Sequence, residues 1–262
     1  MLQIELLFLG TGTSLGVPMI GCHCPVCSST DPHDKRLRPS MLISYDGFRV
    51  LIDTTPELRM QCITHGIDMI DAVVFTHAHA DHVMGLDDVR RFNFMSGKPL
   101  DVWADPPTQQ SLQRCFGYAF RGPNPQEKLI RPHLIMRNIN GPFMIGPMTW
   151  HPVPLIHGAS HVLGFRIGRL AYCTDVSGIP EESFALLEGL DTLVLGALSP
   201  HKHPSHFSLE EAVAAARRIG AKETWFTHIG HAVSHAAINP TLPPTIQLAY
   251  DGLRIGARET GA

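Results

Sequence analysis

Four residues able to bind metal stand within six positions, in His77-Ala78-His79-Ala80-Asp81-His82. The apolar run Val73-Val74-Phe75 leads almost directly into them. Surface loops do not follow buried-looking runs of this kind, so decoration of a solvent-facing loop explains the motif poorly. Alternate residues at a strand end or in a tight loop point to one side, so His77 and His79 can grip one ion together. Asp81 and His82 then turn toward a second ion. Two ions about 3.5–4 Å apart can hold a hydroxide between them and clamp a leaving oxygen, which is hydrolytic chemistry. Neutral imidazoles with carboxylates suit Zn, Mn or Fe.

A separate ligand group occupies Gly21-Cys22-His23-Cys24-Pro25-Val26-Cys27. In a reducing compartment, clustered cysteines favour metal over disulfide. Three thiolates at C-x-C-x₂-C spacing suit a tetrahedral zinc that needs one more ligand. His23 lies between two of the cysteines and is badly placed to close the same tetrahedron. His231, in Thr227-His228-Ile229-Gly230-His231, is the better fourth ligand. Cys62, Cys115 and Cys173 are scattered and read as ordinary small buried residues.

The elements that must position these groups come from hydrophobic patterning. Strands are predicted over 4–9, 41–45, 49–53, 72–76, 100–104, 144–152, 163–167, 170–174, 192–196, 224–227, 246–250 and 253–255. Asp46-Gly47 is a hairpin signal between two of them. Helices are predicted over 56–65 (capped by Thr54 or Thr55), 87–95, 107–116, 180–187 and 208–219. In the last, Ser208 with Glu211 three residues later forms a capping-box signature. The stretch 117–142, rich in Pro, Gly and Arg, carries no clear pattern. Strands interleaved with helices imply an α/β layered fold, and the hairpins imply sheets that are not purely parallel. Pattern alone leaves open doubly wound sheets or a sandwich of two sheets.

The 262 residues suffice for one large core, and no linker or repeat divides them, so a single domain over 1–262 is expected. The zinc-binding loop covers about 21–39 of it. A net charge of −3, from 21 basic and 24 acidic residues, offers no basic excess for gripping a long nucleic acid. The first residues lack the basic start and small-residue cleavage site of a secretory signal. No apolar run reaches the roughly 20 residues that cross a bilayer. A cytoplasmic location is therefore the expectation.

The H-x-H-x-D-H run after a strand resembles the hallmark of the metallo-β-lactamase superfamily. That resemblance implies a four-layer αββα sandwich of two mixed sheets, and further ligands in order: a histidine, an aspartate and a histidine at strand ends. His157 in Leu155-Ile156-His157-Gly158, Asp175 after Ala171-Tyr172-Cys173-Thr174, and His228 after Thr224-Trp225-Phe226-Thr227 supply them. By analogy His77, His79 and His157 hold the first ion, Asp81, His82 and His228 the second, and Asp175 bridges. His161 is a rival to His157, which is preferred for its place at a strand end before glycine. Asp53 matches the superfamily's early aspartate, expected to orient a ligand histidine; a plain turn cap is the simpler reading.

Several motifs narrow the resemblance. The loop Gly10-Thr11-Gly12-Thr13-Ser14-Leu15-Gly16, the cysteine loop, the histidine motif and the late Thr-His-Ile-x-His together look like the PhnP-type phosphodiesterases, with PqqB proteins as relatives of similar layout. The likeness runs along nearly the whole chain. It implies a structural zinc on Cys22, Cys24, Cys27 and His231, two divalent ions (Mn or Zn) in the active site, and a homodimer. It also implies a histidine over the metals that protonates the leaving group. This maps to His206, with His201 and His203 of the same run as rivals. Asp81, Asp175 and His206 are thus the expected catalytic groups, acting with a metal-bridging hydroxide on a small phosphodiester, cyclic ones included.

Other candidates are weaker. The Gly10–Gly16 loop lacks a P-loop lysine and reads as a tight turn lining the site wall. Arg90 or Arg91 could meet a phosphate, or pair with Asp87 or Asp88 on a helix surface. His235 has at most a substrate contact, while His33, His65, His133 and His151 read as structural or exposed. Among other functions, ribonuclease Z shares the metal motif but grips RNA with a basic arm that has no obvious counterpart here. Glyoxalase II and β-lactamases lack the cysteine loop. Flavo-diiron oxygen reductases carry a carboxylate where His79 stands. A PqqB-like biosynthetic or metal-binding factor without phosphodiesterase activity is the alternative from another class.

Overall fold

The computed structural model describes residues 3–122 and 131–258. Its first half supplies β1 (Gln3–Gly10), β2 (Ser40–Tyr45), β3 (Phe48–Ile52), β4 (Ala72–Val74), β5 (Leu100–Ala104) and β6 (Leu134–Asn138). Its second half supplies β7 (Phe143–Ile145), β8 (Met148–His157), β9 (Ser160–Ile167), β10 (Leu170–Cys173), β11 (Thr192–Gly196), β12 (Glu223–Thr227), β13 (Ile246–Leu248) and β14 (Arg254–Arg258). The helices are α1 (Leu58–His65), α2 (Ala80–Val83), α3 (Arg90–Ser96), α4 (Pro106–Phe116), α5 (Glu181–Leu186), α6 (Leu209–Ile219) and α7 (His235–Ile238).

The strands form two seven-stranded sheets, ordered β14-β1-β2-β3-β4-β5-β6 and β13-β12-β11-β10-β9-β8-β7. Each is mixed: β3 to β6 pair parallel, as do β10 to β13, while the hairpins pair antiparallel. Strand alternation divides each sheet's residues between two apolar faces. Ile4, Phe8, Ile43, Trp150, Phe165 and Tyr172 fill the space between the sheets. Leu7, Leu51, Val73 and Val102 face outward and pack with Leu58 and Leu112 under α1 and α4. Leu155, Ala171, Leu193 and Phe226 do the same with Ala212 and Ala216 under α6. The result is the four-layer αββα sandwich, the choice that patterning alone leaves open. Burying each large apolar side chain contributes about 1.5–3 kcal/mol. Two polar groups in the central layer are paired in series: Trp150 Nε1 donates to Tyr45 Oη at 3.0 Å, and Tyr45 donates to the Ile145 carbonyl at 3.0 Å.

Three predicted elements differ. The run 144–152 is not one strand, because a turn at Gly146-Pro147 splits it between β7 and β8. The helix predicted over 87–95 is a 3₁₀ turn at Leu86–Val89 followed by α3. Helix α1 begins at Leu58 with Glu57 at its N-cap and no side-chain cap. Thr54 and Thr55 are buried instead, Thr55 Oγ1 donating to Gln61 Oε1 at 3.0 Å. The patternless stretch holds a 3₁₀ turn at Gly117–Phe120 and strand β6, with 123–130 outside the described residues. Helix α6 has the full capping box of Ser208 and Glu211. Among the described residues, no helix is long and apolar enough to cross a membrane.

Candidate metal centre

The parallel pairing brings the carboxyl ends of β3 and β4 to one edge of the first sheet, and those of β10, β11 and β12 to one edge of the second. Open α/β sheets place their ligand sites at such edges. Asp53 follows β3 directly, His228 follows β12, and Asp175 lies two residues past Cys173, the last residue of β10. All three adopt positive φ, at 60°, 57° and 50°. Non-glycine residues rarely take this conformation, and it costs roughly 1–2 kcal/mol each. The kink turns each side chain back across the sheet end, so the strain is located where ligands must converge. The His77 motif enters from β4 and then winds into α2, which carries Asp81 and His82.

These residues gather into two groups that share Asp175. His77, His79, His157 and Asp175 form one, and Asp81, His82, Asp175 and His228 the other, with ligand atoms within 4.8 Å of one another. His82 Nε2 is 3.3 Å from Asp175 Oδ1 and 3.4 Å from Asp81 Oδ2. His228 Nε2 is 3.3 Å from Asp175 Oδ2. His77 Nε2 and His157 Nε2 each lie 3.9 Å from that same oxygen. A tetrahedron with metal–ligand bonds of about 2.0–2.2 Å spaces its corners roughly 3.3–3.6 Å apart, so these separations suit ions at the centres. Nε2 of His77, His82 and His228 is buried without a hydrogen bond. Each such orphan costs about 1–3 kcal/mol unless something fills the coordination position. The donor set therefore fits two divalent ions. His161 lies on β9 opposite Ile156, exposed and apart from the cluster. His79 is the exposed member, which marks the open side.

The cluster's electrostatics follow from burial against mutual attraction. Burial resists ionisation of Asp175, but His228 and His82 outweigh it and hold its carboxyl well below the usual range. Burial also opposes charge on His82, yet Asp175 and Asp53 raise it well above the ordinary imidazole value. Burial, then His82, keeps His77 well below that value. Asp53 supports this arrangement: its Oδ2 lies 2.7 Å from His82 Nδ1, while its carboxylate accepts from Thr76 N at 2.9 Å and Thr76 Oγ1 at 2.8 Å. A proton on Nδ1 toward Asp53 leaves Nε2 free as a ligand atom. Residue type gave no sign of Thr76, nor of the Ser205 carbonyl that lies 2.7 Å from His157 Nδ1.

Over the cluster lies His206. Its ring is 4.6 Å from that of His228, nearly parallel at 16°, and 4.6 Å from that of His157. Burial, then the charge of His228, lowers its pKa to about 3. The rivals stand farther out: His203 is exposed with its ring 5.1 Å from His206, and His201 is exposed without a ring contact. Arg90 pairs with Asp87 at 2.8 Å and Arg91 lies over Phe94 at 5.3 Å, so both serve the helix surface. His235 packs on His33 and Tyr250 rather than among the ligands.

The cysteine loop closes on the second ligand loop. His231 Nδ1 lies 3.4 Å from both Cys22 Sγ and Cys24 Sγ and 3.7 Å from Cys27 Sγ, with His23 exposed outside the group. Zn–S bonds of about 2.3 Å would set neighbouring S and N atoms roughly 3.6 Å apart. The Cys27 backbone N–H holds the Cys24 thiol down at about 6 despite some burial. Two ties were not legible beforehand. Buried Arg36 pairs with Asp34 at 2.9 Å and donates to the Gly230 carbonyl at 3.2 Å. Asp251, which follows the usual chemistry of an Asp-Gly turn, accepts from Thr11 N, Thr11 Oγ1 and Leu37 N at 2.7–2.8 Å.

Comparison with known proteins agrees with this geometry. Residues 48–229 match the model of the beta-lactamase superfamily domain. A solved structure described as a new diphosphatase from the PhnP family is 45% identical, superposes with a TM-score of 0.92 and covers 98% of both chains. Zn(2+)-bound PqqB from Methylobacterium extorquens shares the fold at a TM-score of 0.77 and 20% identity, over 96% of this chain and 99% of that one. An octanoyltransferase of Porphyromonas gingivalis is 39% identical over 97% of this chain, which spans only 52% of that longer protein. The chain is thus a metallo-hydrolase-fold protein of the PhnP family, within the metallo-β-lactamase superfamily.

Proposed function

We propose that the protein is a dinuclear metal-dependent phosphodiesterase acting on a small phosphodiester, cyclic ones included. The observation that carries this reading is the pair of four-ligand groups sharing Asp175, with His206 over them. His77, His79 and His157 would hold one ion, Asp81, His82 and His228 the other, and Asp175 both. When bound, the ions supply Lewis-acid charge to the phosphoryl oxygens and lower the pKa of a water toward neutrality. Asp175 and Asp81 balance that charge. Asp53 would fix the His82 imidazole, and the Ser205 carbonyl that of His157, each through Nδ1. Burial keeps the His206 ring neutral in the free protein, and an anionic phosphate at the ions would raise its pKa so that it could protonate the departing alkoxide, hydrolysis leaving a phosphomonoester and an alcohol. The solved relative described as a diphosphatase supports a phosphorus-centred substrate. Cys22, Cys24, Cys27 and His231 would hold a structural zinc. A cytoplasmic homodimer is the expected setting.

A second reading, transfer of an octanoyl group, would follow the Porphyromonas gingivalis octanoyltransferase, of which this chain spans only 52%. Protein loaded with Mn or Zn, assayed on bis-p-nitrophenyl phosphate and p-nitrophenyl octanoate, separates the two. The phosphodiester is the expected substrate. Turnover of the octanoate alone favours the second reading. Silence on both with two ions bound favours a non-hydrolytic, PqqB-like factor. His206→Ala is expected to retain both metals, measured by elemental analysis, and to lose about 10²–10⁴-fold in diester turnover. An undiminished rate removes His206 from the chemistry.

A further inference from the structure

We infer that Thr174 is a positioning residue for the shared ligand: its hydroxyl occupies one carboxylate oxygen of Asp175 and leaves the other to serve both ions. The inference rests on the dinuclear reading of the site and deepens it. Three of the ligands are each preceded by a fully buried threonine: Thr76 before His77, Thr174 before Asp175 and Thr227 before His228. Burying a hydroxyl is costly unless it finds a hydrogen-bond partner. The three hydroxyls fare differently. That of Thr76 donates to Asp53 Oδ2 at 2.8 Å. That of Thr174 donates to Oδ1 of its own neighbour, Asp175, at 3.0 Å. That of Thr227 has no partner among the described residues.

The two oxygens of Asp175 stand in different places. Oδ2 lies 3.9 Å from Nε2 of both His77 and His157, in the first group, and 3.3 Å from His228 Nε2, in the second. Oδ1 lies 3.3 Å from His82 Nε2, in the second group, and is the oxygen that Thr174 reaches. Oδ2 thus faces both groups. A carboxylate oxygen has two lone pairs, and a hydroxyl donor takes up one of them. The hydrogen bond also draws charge from Oδ1, so Oδ2 is left as the freer and stronger donor. The kink at φ 50° fixes where the Asp175 side chain starts, and the Thr174 hydroxyl fixes how its carboxylate is rotated. Without that hydroxyl the carboxylate can turn to offer one oxygen to each ion. Partners that orient a ligand from outside the metal's own shell typically govern affinity in this way.

The test compares three variants. Thr174→Val keeps the shape and removes the donor, Thr174→Ser restores it, and Thr227→Val makes the same exchange at the unpartnered hydroxyl. Each metal-free protein is titrated with Mn by calorimetry, and the form with two Mn bound is examined by electron paramagnetic resonance. Magnetic coupling between the ions passes through the atoms that bridge them, so the spectrum reports how Asp175 is shared. Thr174→Val is expected to lose about 10–100-fold in affinity for the pair and to show altered coupling. Thr174→Ser and Thr227→Val should stay close to the wild type in both. An unaltered spectrum in Thr174→Val overturns the inference, whether or not affinity falls, because weaker binding alone is what a merely structural threonine would give. An equal change in Thr227→Val overturns it too, since any valine beside a ligand would then disturb the site. If circular dichroism shows that metal-free Thr174→Val does not fold, Thr174→Ala takes its place. Failure of the wild type to bind two Mn ions would instead strike the dinuclear reading itself.

Discussion

His82 takes its orientation from Asp53. That carboxylate is fully buried, and burial pushes its pKa up while His82 and Thr76 oppose the shift. Replacing it with Asn preserves shape but puts an amide, or a weaker acceptor, against His82 Nδ1. The ring then gains by moving its proton to Nε2, the atom that faces Asp81 and Asp175. Asp53→Asn is therefore expected to lower affinity for the second ion about 10–100-fold while leaving the chain folded. Titration of the metal-free protein with Mn or Zn measures this, and wild-type affinity would show that Asp53 is only a turn cap. The ligand residues were legible in sequence because histidine and aspartate are chemically distinctive and four of them crowd into 77–82. Their supports were not. Thr76 is one threonine just past an apolar strand, and the Ser205 contact is made by a carbonyl, which every residue possesses.

At the level of elements, the turn joining β8 to β9 decides how close the His206 loop comes. Gly158 has φ 60°, and a Cβ there would lie 3.1 Å from Ser205 Cβ. Alanine meets both the left-handed penalty of about 1–2 kcal/mol and a contact that only displacement of Ser205 relieves. Ser205 carries the carbonyl beside His157 and is adjacent to His206. Gly158→Ala should thus cost a few degrees of melting temperature and a larger share of diester turnover. If turnover simply tracks the fraction folded, the turn does not set the height of His206. Strand ends were legible as apolar runs stopping at a ligand, as at β12 and His228. Internal breaks were less so: Met144 to Pro152 alternates well enough to hide the turn at Gly146-Pro147. Nor could local patterning choose between stacked and doubly wound sheets. Partners such as Ile4 and Ala257, or Leu6 and Ile255, lie at opposite ends of the chain, so their pairing is a property of the whole fold.

Across the whole molecule, the ties that bind the first 40 residues to the last 35 include the cysteines to His231, Arg36 to the Gly230 carbonyl, and Asp251 to Thr11 and Leu37. Gly230 and His231 follow His228 closely, so the ties that hold the fold also hold a ligand of the metal centre. Cys24→Ser should lose the structural zinc and lower the melting temperature, since zinc binding is folding energy. Unaltered zinc stoichiometry would count against that site. Asp251 adds a dependence on pH. Burial pushes its carboxyl from 3.8 up to about 7, against the pull of Leu37 N–H and Thr11. A raised acid pKa means the folded state binds the proton more tightly than the unfolded state does. The stability from this group is complete below about pH 4 and is lost as pH rises through about 7. Asp251→Asn cannot titrate, and its amide meets the Leu37 N–H, so it is expected to be less stable than the wild type at pH 5. The wild type's lead should then shrink steadily toward pH 8, as its own carboxyl ionises and the variant's amide does not. Melting curves of the two proteins at several pH values, recorded with the metals in place, read this difference directly; parallel curves would mean that Asp251 is ionised throughout and acts as a fixed acceptor for its three donors.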